Sequence, residues 1–272
     1  MCEIQPCIPE GKSNLKAEPE ARRRFLKGLA SLPIAYVLAD VQLLHAAAEM
    51  GKKLTIDGPG GPVSGHLAMP ESPDNAPVVL LIHEWWGLND NIKSMANDLA
   101  AQGYIALAVD LYDGEVASDR DGAMKLVRAV DAQRSSDIMD AWVRWARTQG
   151  NGKVASLGWC FGGAWSLQTA LKSAPDASVI YYGRLDASVD RLANLNTPML
   201  GHFGMLDRGI NADMVGAFQR MLDEAGKGDL LTTHWYTANH AFANPTGARY
   251  DEDDAALAWT RTLTFLAKHL KG

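Results

Sequence analysis

The sequence predicts an α/β fold, a mostly parallel sheet with helices on both faces, and three observations predict it. Short strand-like runs at residues 77–82, 104–109, 153–157, 178–182, 199–203 and 231–236 alternate with longer stretches of helical spacing, the alternation that builds a covered parallel sheet. The run Pro77-Val78-Val79-Leu80-Leu81-Ile82 is continuously apolar, as a strand buried on both faces must be. Gly158-Trp159-Cys160-Phe161-Gly162-Gly163 then joins a strand-like run to a helical one through glycines, the mark of a sharp strand-to-helix turn.

Taken in order, residues 53–56 and 65–69 read as short strands around Asp57-Gly58-Pro59-Gly60-Gly61-Pro62, a hairpin signal. Residues 70–77 are a loop, and the apolar run that follows ends in His83-Glu84-Trp85-Trp86-Gly87. Helical spacing covers residues 91–102, and one or two helices cover 119–148. The strand 153–157 leads through the glycine turn into a helix over 164–171. Strands at 178–182 and 199–203, a helix over 212–225, a strand at 231–236 and a final helix over 253–270 complete the chain. No repeat or linker interrupts residues 49–272, which read as one catalytic domain.

Composition narrows the function classes. With 272 residues, 47% of them hydrophobic, the chain can bury a sizeable core. A net charge of -6, with no basic stripe after the amino-terminal cluster, argues against a nucleic-acid partner. No apolar run approaches the roughly 20 residues of a permanent membrane span.

Residues 1–48 differ in character from the rest. Arg22-Arg23-Arg24-Phe25-Leu26-Lys27 precedes a modest apolar stretch over residues 28–39 and resembles a twin-arginine export signal, although Ala21 stands where that signal usually has Ser or Thr. Small-residue sites at Val37-Leu38-Ala39 or Ala46-Ala47-Ala48 would serve for cleavage. The resemblance implies passage through the export machinery to the periplasm; the other reading is an amphipathic first helix on a cytoplasmic protein. Cleavage would remove Cys2 and Cys7, leaving Cys160 alone and unable to form an internal disulfide.

The glycine turn places Cys160 where a nucleophile elbow places its nucleophile, at the amino end of a helix whose dipole and free N–H groups favour a thiolate. The plainer reading is a buried small hydrophobe beside a tight turn. A cysteine nucleophile needs a base, and the base needs a group to fix its tautomer. Asp207, in Gly204-Met205-Leu206-Asp207-Arg208-Gly209, leaves the strand at 199–203, and His240 leaves the strand ending at Tyr236. The order Cys160, Asp207, His240 is the nucleophile–acid–base order of the α/β-hydrolase fold. His202 and His234 fall within strands, and His269 lies in the last helix. In that fold the oxyanion donors are the backbone N–H groups of Phe161 and of Trp85. A zinc reading of His83-Glu84 fails because Gly87 stands where a second histidine is needed, and no organic cofactor is implied.

From about Leu54 to Leu270 the sequence resembles the dienelactone hydrolase family. The resemblance rests on the elbow, His83-Glu84-Trp85-Trp86-Gly87-Leu88-Asn89, Asp110-Leu111-Tyr112, Tyr181-Tyr182-Gly183, the Asp207 loop, His240-Ala241-Phe242 and Ala258-Trp259-Thr260-Arg261-Thr262-Leu263. It implies cleavage of a small-molecule lactone, ester or thioester through an acyl-cysteine intermediate. It also gives Glu84 a role: contact with the resting cysteine, then capture of the thiol proton once substrate binds. Trp86, Tyr112, Tyr181 and Tyr182 match positions that line the family's pocket. The family anchors a substrate carboxylate with arginines, one of them four residues beyond the histidine, where this chain has Asn244. Arg249, Arg128 or Arg208 would have to substitute. That departure leaves room for an esterase or thioesterase of the same fold with another substrate, and the cysteine alone for a non-hydrolytic thiol protein that binds a ligand or senses oxidation.

Overall fold

Strand β1 (Lys52–Gly58) pairs antiparallel with β2 (Gly61–Ala68) in the expected hairpin, turning through Pro59 and Gly60. The computed structural model describes residues 48–272, so the signal-like segment with Cys2 and Cys7 lies outside the described residues. Strand β2 runs antiparallel to β4 (Ile105–Val109), and from there every neighbour is parallel: β3 (Val78–Ile82), β5 (Val154–Trp159), β6 (Ala177–Tyr181), β7 (Met199–Gly204) and β8 (Leu231–Tyr236). The sheet order is β1-β2-β4-β3-β5-β6-β7-β8. The chain moves outward from β3 to β4, then returns across β3 to lay down β5. Ligands of open α/β sheets bind in the crevice beyond the strand ends at such a reversal. Because Ile82 pairs with Gly158, the residues just past those partners, Glu84 and Cys160, emerge side by side.

The helices are α1 (Asp90–Ala101), α2 (Arg120–Ala129), α3 (Ala132–Arg147), α4 (Phe161–Ser173), the short α5 (Val189–Leu192), α6 (Ala212–Glu224) and α7 (Glu252–Leu270). Alternation along each strand feeds two faces. Val79, Leu81, Leu157 and Val179 pack with Ile92, Met95 and Leu99 of α1 and Leu266 of α7. Val78, Leu80, Ile82 and Val154 pack with Ile138, Trp142 and Val143 of α3. A third cluster joins Leu167 of α4 and Phe218 of α6 to Ile180 and Phe203. Among the described residues no helix is long and apolar enough to cross a membrane.

Boundaries differ from the expected ones for local reasons. The stretch 119–148 is two helices because Val130 is extended and Asp131 caps α3, accepting from the Arg134 N–H at 2.8 Å. Helix α4 starts at Phe161, three residues before residue 164, since Gly162 and Gly163 are already helical. The four-residue α5 is too short to leave a periodic signal.

Candidate active site

Cys160 sits between β5 and α4 at φ 53° and ψ -110°. A side-chain-bearing residue held there costs on the order of 1–3 kcal/mol and persists only where the surroundings over-determine it. Its N–H donates to the Tyr181 carbonyl at 3.0 Å, and its carbonyl accepts from the Ala164 N–H at 3.2 Å. The glycines are required by space: a Cβ at Gly158 would collide with the Gly162 carbonyl, and one at Gly162 with the Ile82 carbonyl. Beneath the turn, the buried hydroxyls of Ser156, Ser166 and Ser178 join at 2.9 Å each, tying α4 to β5 and β6. Helices α1, α2, α3, α6 and α7 are each capped by an Asn or Asp side chain, whereas α4 has no side-chain cap. The N–H of Phe161 at its start, like that of Trp85, has no acceptor among the described residues.

His240 Nε2 lies 3.1 Å from Cys160 Sγ, and its Nδ1 lies 2.6 Å from Asp207 Oδ2. The other Asp207 oxygen accepts from the N–H groups of Gly209 (2.8 Å) and Ile210 (3.0 Å). Burial acts to raise the Asp207 carboxyl; the His240 bond and these backbone donors outweigh it and hold it below the ordinary carboxylate value. An ionised Asp207 can only accept, so the His240 proton sits on Nδ1 and Nε2 is left for the thiol. Burial pulls His240 down, but its bonds to Asp207 and Cys160 prevail and raise it to about 10. The two loops are laced together, Met205 N–H to Tyr236 O at 2.8 Å and Leu206 N–H to Ala238 O at 3.0 Å.

Glu84, at the end of β3, is buried and accepts from the Asn244 side-chain amide. Burial raises its carboxyl to about 7, against the smaller pulls of His240, Asn244, Tyr182 and Arg249. Its bond is to Asn244, and among the described residues none joins it to Cys160. His83 fixes the preceding turn: Nδ1 is 2.6 Å from the Glu84 carbonyl, and Nε2 accepts from the Leu111 N–H at 3.2 Å. Those partners and its full burial, which lowers its pKa, make His83 neutral.

Tyr182, one residue past β6 at φ 38°, is fully buried beside His240 with ring centroids 5.1 Å apart. Burial and then the charges of Glu84 and Cys160 push its phenol well above the ordinary value. Tyr112 is likewise raised by burial and by Cys160. The Tyr112 hydroxyl makes no hydrogen bond among the described residues, and the Tyr182 hydroxyl lies against the Glu84 carboxyl. Trp85 and Trp86 stand half-buried at the loop after β3, in edge contact at 5.0 Å. Phe161 packs its ring on His83 at 5.8 Å.

Tyr181 is not brought to the site. Strand alternation turns it into the core between Trp159 and His202, with its hydroxyl on Thr262 at 2.7 Å. Arg249 is exposed and acts on Glu84 only through its charge, while Arg128 and Arg208 are exposed on α2 and beside Asp207. Sequence reasoning marked Asn244 as a missing arginine and missed it as the partner of Glu84. Asn-Pro is a turn signal, but nothing in the sequence points the amide across 160 positions. Among the described residues no group of three His, Cys, Asp or Glu is placed to hold a metal ion.

The dienelactone hydrolase family model matches residues 63–270. A carboxymethylenebutenolidase of Pseudomonas putida is 33% identical over 227 residues, covering 79% of this chain and 95% of that one. A crystal structure from Klebsiella pneumoniae named for a dienelactone hydrolase has a TM-score of 0.73 at 28% identity, over 80% of this chain and 98% of the other. A dienelactone hydrolase-like phosphotriesterase from metagenomic libraries has a TM-score of 0.72 over 81% of this chain and 99% of its own; at 22% identity it shares the fold alone. The chain is a hydrolase and belongs to the dienelactone hydrolase family.

Proposed function

We propose that this hydrolase cleaves a carboxylic ester or lactone through an acyl-Cys160 intermediate. The observation that carries the reading is the unbroken chain Asp207–His240–Cys160 at the strand-to-helix turn, with separations of 2.6 and 3.1 Å. The Cys160 proton passes to His240 Nε2, and Sγ attacks the carbonyl carbon. The oxyanion forms within reach of the Phe161 and Trp85 N–H groups, which no acceptor among the described residues occupies. Collapse breaks the C–O bond, and His240 returns the proton to the alcohol, which in a lactone stays tethered to the acyl group. Water then attacks the thioester with His240 as base, releasing the acid and restoring the thiol. Priming by Glu84 belongs to the same proposal: once substrate binding turns it away from Asn244, its carboxyl, raised to about 7, relays the single thiol proton to His240 and takes no second one.

A slowly hydrolysed aryl ester should add an acyl mass to the peptide containing Cys160. Turnover should vanish in Cys160→Ala and in His240→Ala. Wild-type rates in Cys160→Ala would remove the cysteine from the mechanism. Export through the twin-arginine route is a separate proposal, resting on Arg22, Arg23 and Phe25-Leu26-Lys27. Cell fractionation with amino-terminal sequencing checks it, and a cytoplasmic protein still beginning at Met1 or Cys2 would refute it.

A further inference from the structure

Cys160, like Leu88 and Ala241, packs against the apolar cluster that holds Phe242, and the buried polar groups near it, apart from the triad, are phenols and a carboxyl. Glu84 supplies a buried carboxyl whose hydrogen-bond partner is an amide. Tyr112 supplies a buried phenol with no hydrogen bond among the described residues, and Tyr182 a second buried phenol that lies against Glu84. Besides His240, the cation that acts on Glu84 is Arg249, and it is exposed. His83 is neutral between two backbone groups, and Asp207 is consumed by His240, Gly209 and Ile210.

The Asn244 amide is not free to turn. Its Oδ1 accepts from the Thr246 N–H at 3.0 Å and the Thr246 hydroxyl at 2.8 Å, which commits Nδ2 to face Glu84. The surrounding loop closes on the same residue: Asn244 N–H donates to the Ala241 carbonyl at 3.1 Å, and Gly247 N–H to the Asn244 carbonyl at 3.0 Å. The His240 loop therefore delivers the base to Cys160 at one end and a fixed neutral donor to Glu84 at the other.

We propose that Asn244 is a positioning and specificity-determining residue: a charge-neutral clamp that holds Glu84 away from the Cys160 thiol and makes the site selective for acyl groups that carry no carboxylate. This rests on the acyl-cysteine reading. A buried amide can orient Glu84 but cannot balance a second negative charge. An anionic acyl group brought beside Glu84 would be left without a buried countercharge, and like charges so placed oppose binding strongly. A neutral ester brings no second charge to oppose Glu84 and can still use the Phe161 and Trp85 N–H groups, which suit a carbonyl oxygen. The discrimination should grow between pH 6 and pH 8, as Glu84 gains its charge; His240, Tyr182 and Arg249 are the other titratable groups that act on it.

The test uses the purified protein with two p-nitrophenyl esters that differ at the acyl terminus, the butyrate and the hemisuccinate. Both kcat/KM and the rate of acyl-mass gain at Cys160 are read for each at pH 6 and 8. The butyrate should acylate Cys160 faster by at least about tenfold at pH 8, with a smaller ratio at pH 6. Asn244→Arg should shrink or reverse the ratio, chiefly through KM for the hemisuccinate. A wild-type protein that acylates equally fast or faster with the hemisuccinate overturns the proposal whether or not Asn244→Arg folds, and leaves the acyl-cysteine reading standing. If hydrolysis proceeds with no acyl mass on Cys160 from either ester, the acyl-cysteine reading falls and takes this one with it.

Discussion

Two histidines near the carboxyl ends of neighbouring strands meet opposite fates. His202 in β7 is fully buried between two hydroxyls, its Nδ1 2.8 Å from Tyr236 and its Nε2 3.0 Å from Thr262. The Tyr236 oxygen also accepts from Arg261 at 3.1 Å, and Thr262 reaches Tyr181 at 2.7 Å, so a polar chain links β6, β7, β8 and α7. Burial lowers the pKa of His202 well below its ordinary value, and nearby His234 and Arg261 add to the effect. His240, also largely inside, is raised to about 10 because its partners are Asp207 and Cys160. Burial works in the same direction on both rings. What lowers the pKa of one and raises that of the other, a structural strut and the proposed proton carrier, is the charge of the groups they touch.

The largest way to break that contrast is to give His240 a neutral partner. Asp207→Asn removes the carboxylate and favours the wrong tautomer, and kcat should fall by about 10⁴ if the serine-triad precedent carries over. The Tm should move far less than the rate. A loss below tenfold would mean that Asp207 only braces its loop through Gly209 and Ile210.

Removing the strut should do the reverse. His202→Leu takes one of two partners from each of the Tyr236 and Thr262 hydroxyls in the core and should cost about 2–4 kcal/mol by denaturant titration. The surviving folded enzyme should keep kcat/KM within about threefold, because no side chain of this polar network bonds the Cys160 thiol. A hundredfold loss of kcat/KM in fully folded protein would make His202 part of the proton path.

The smallest effect is expected at Glu84, where burial raises the carboxyl from 4.5 to about 7. The folded state then binds the proton more tightly than the unfolded chain does, so stability declines as pH rises from 4.5 through 7 and stays reduced above. Glu84→Gln keeps an oxygen for Asn244 and never ionises, so it should gain stability at pH 8 relative to pH 4.5, by up to about 3 kcal/mol. Thermal melts at the two pH values check the sign. Equal shifts at both would show that Glu84 is not a titrating buried group.

Period and order made much of this legible in the sequence. The apolar run at residues 77–82, the alternation after it and the glycines around Cys160 lead to the parallel sheet and the turn. Asp207 and His240 were readable because strand ends in a parallel sheet share one edge. Tyr181 misled because family position outweighed a simpler signal: adjacent residues at a strand end face opposite ways, so Tyr181 and Tyr182 could not both line the cleft. Asn244 was opaque for another reason. Its role depends on which residue its amide meets, and that contact arises only from tertiary folding.

The sequence distances inside the site also record an assembly order. Glu84 and Asn244 are 160 positions apart, Cys160 and His240 are 80, and Asp207 and His240 are 33. During synthesis the thiol leaves the ribosome long before the base that draws its proton. A chain arrested before β8 docks could present every strand from β3 to β7 and still hold an inert sulfur. Regain of activity on refolding should therefore trail regain of secondary structure, because such distant pairings close slowly. On the proposed acyl-cysteine mechanism, Cys160 is armed by the last strand and the loop behind it, a safeguard written into the order of the chain.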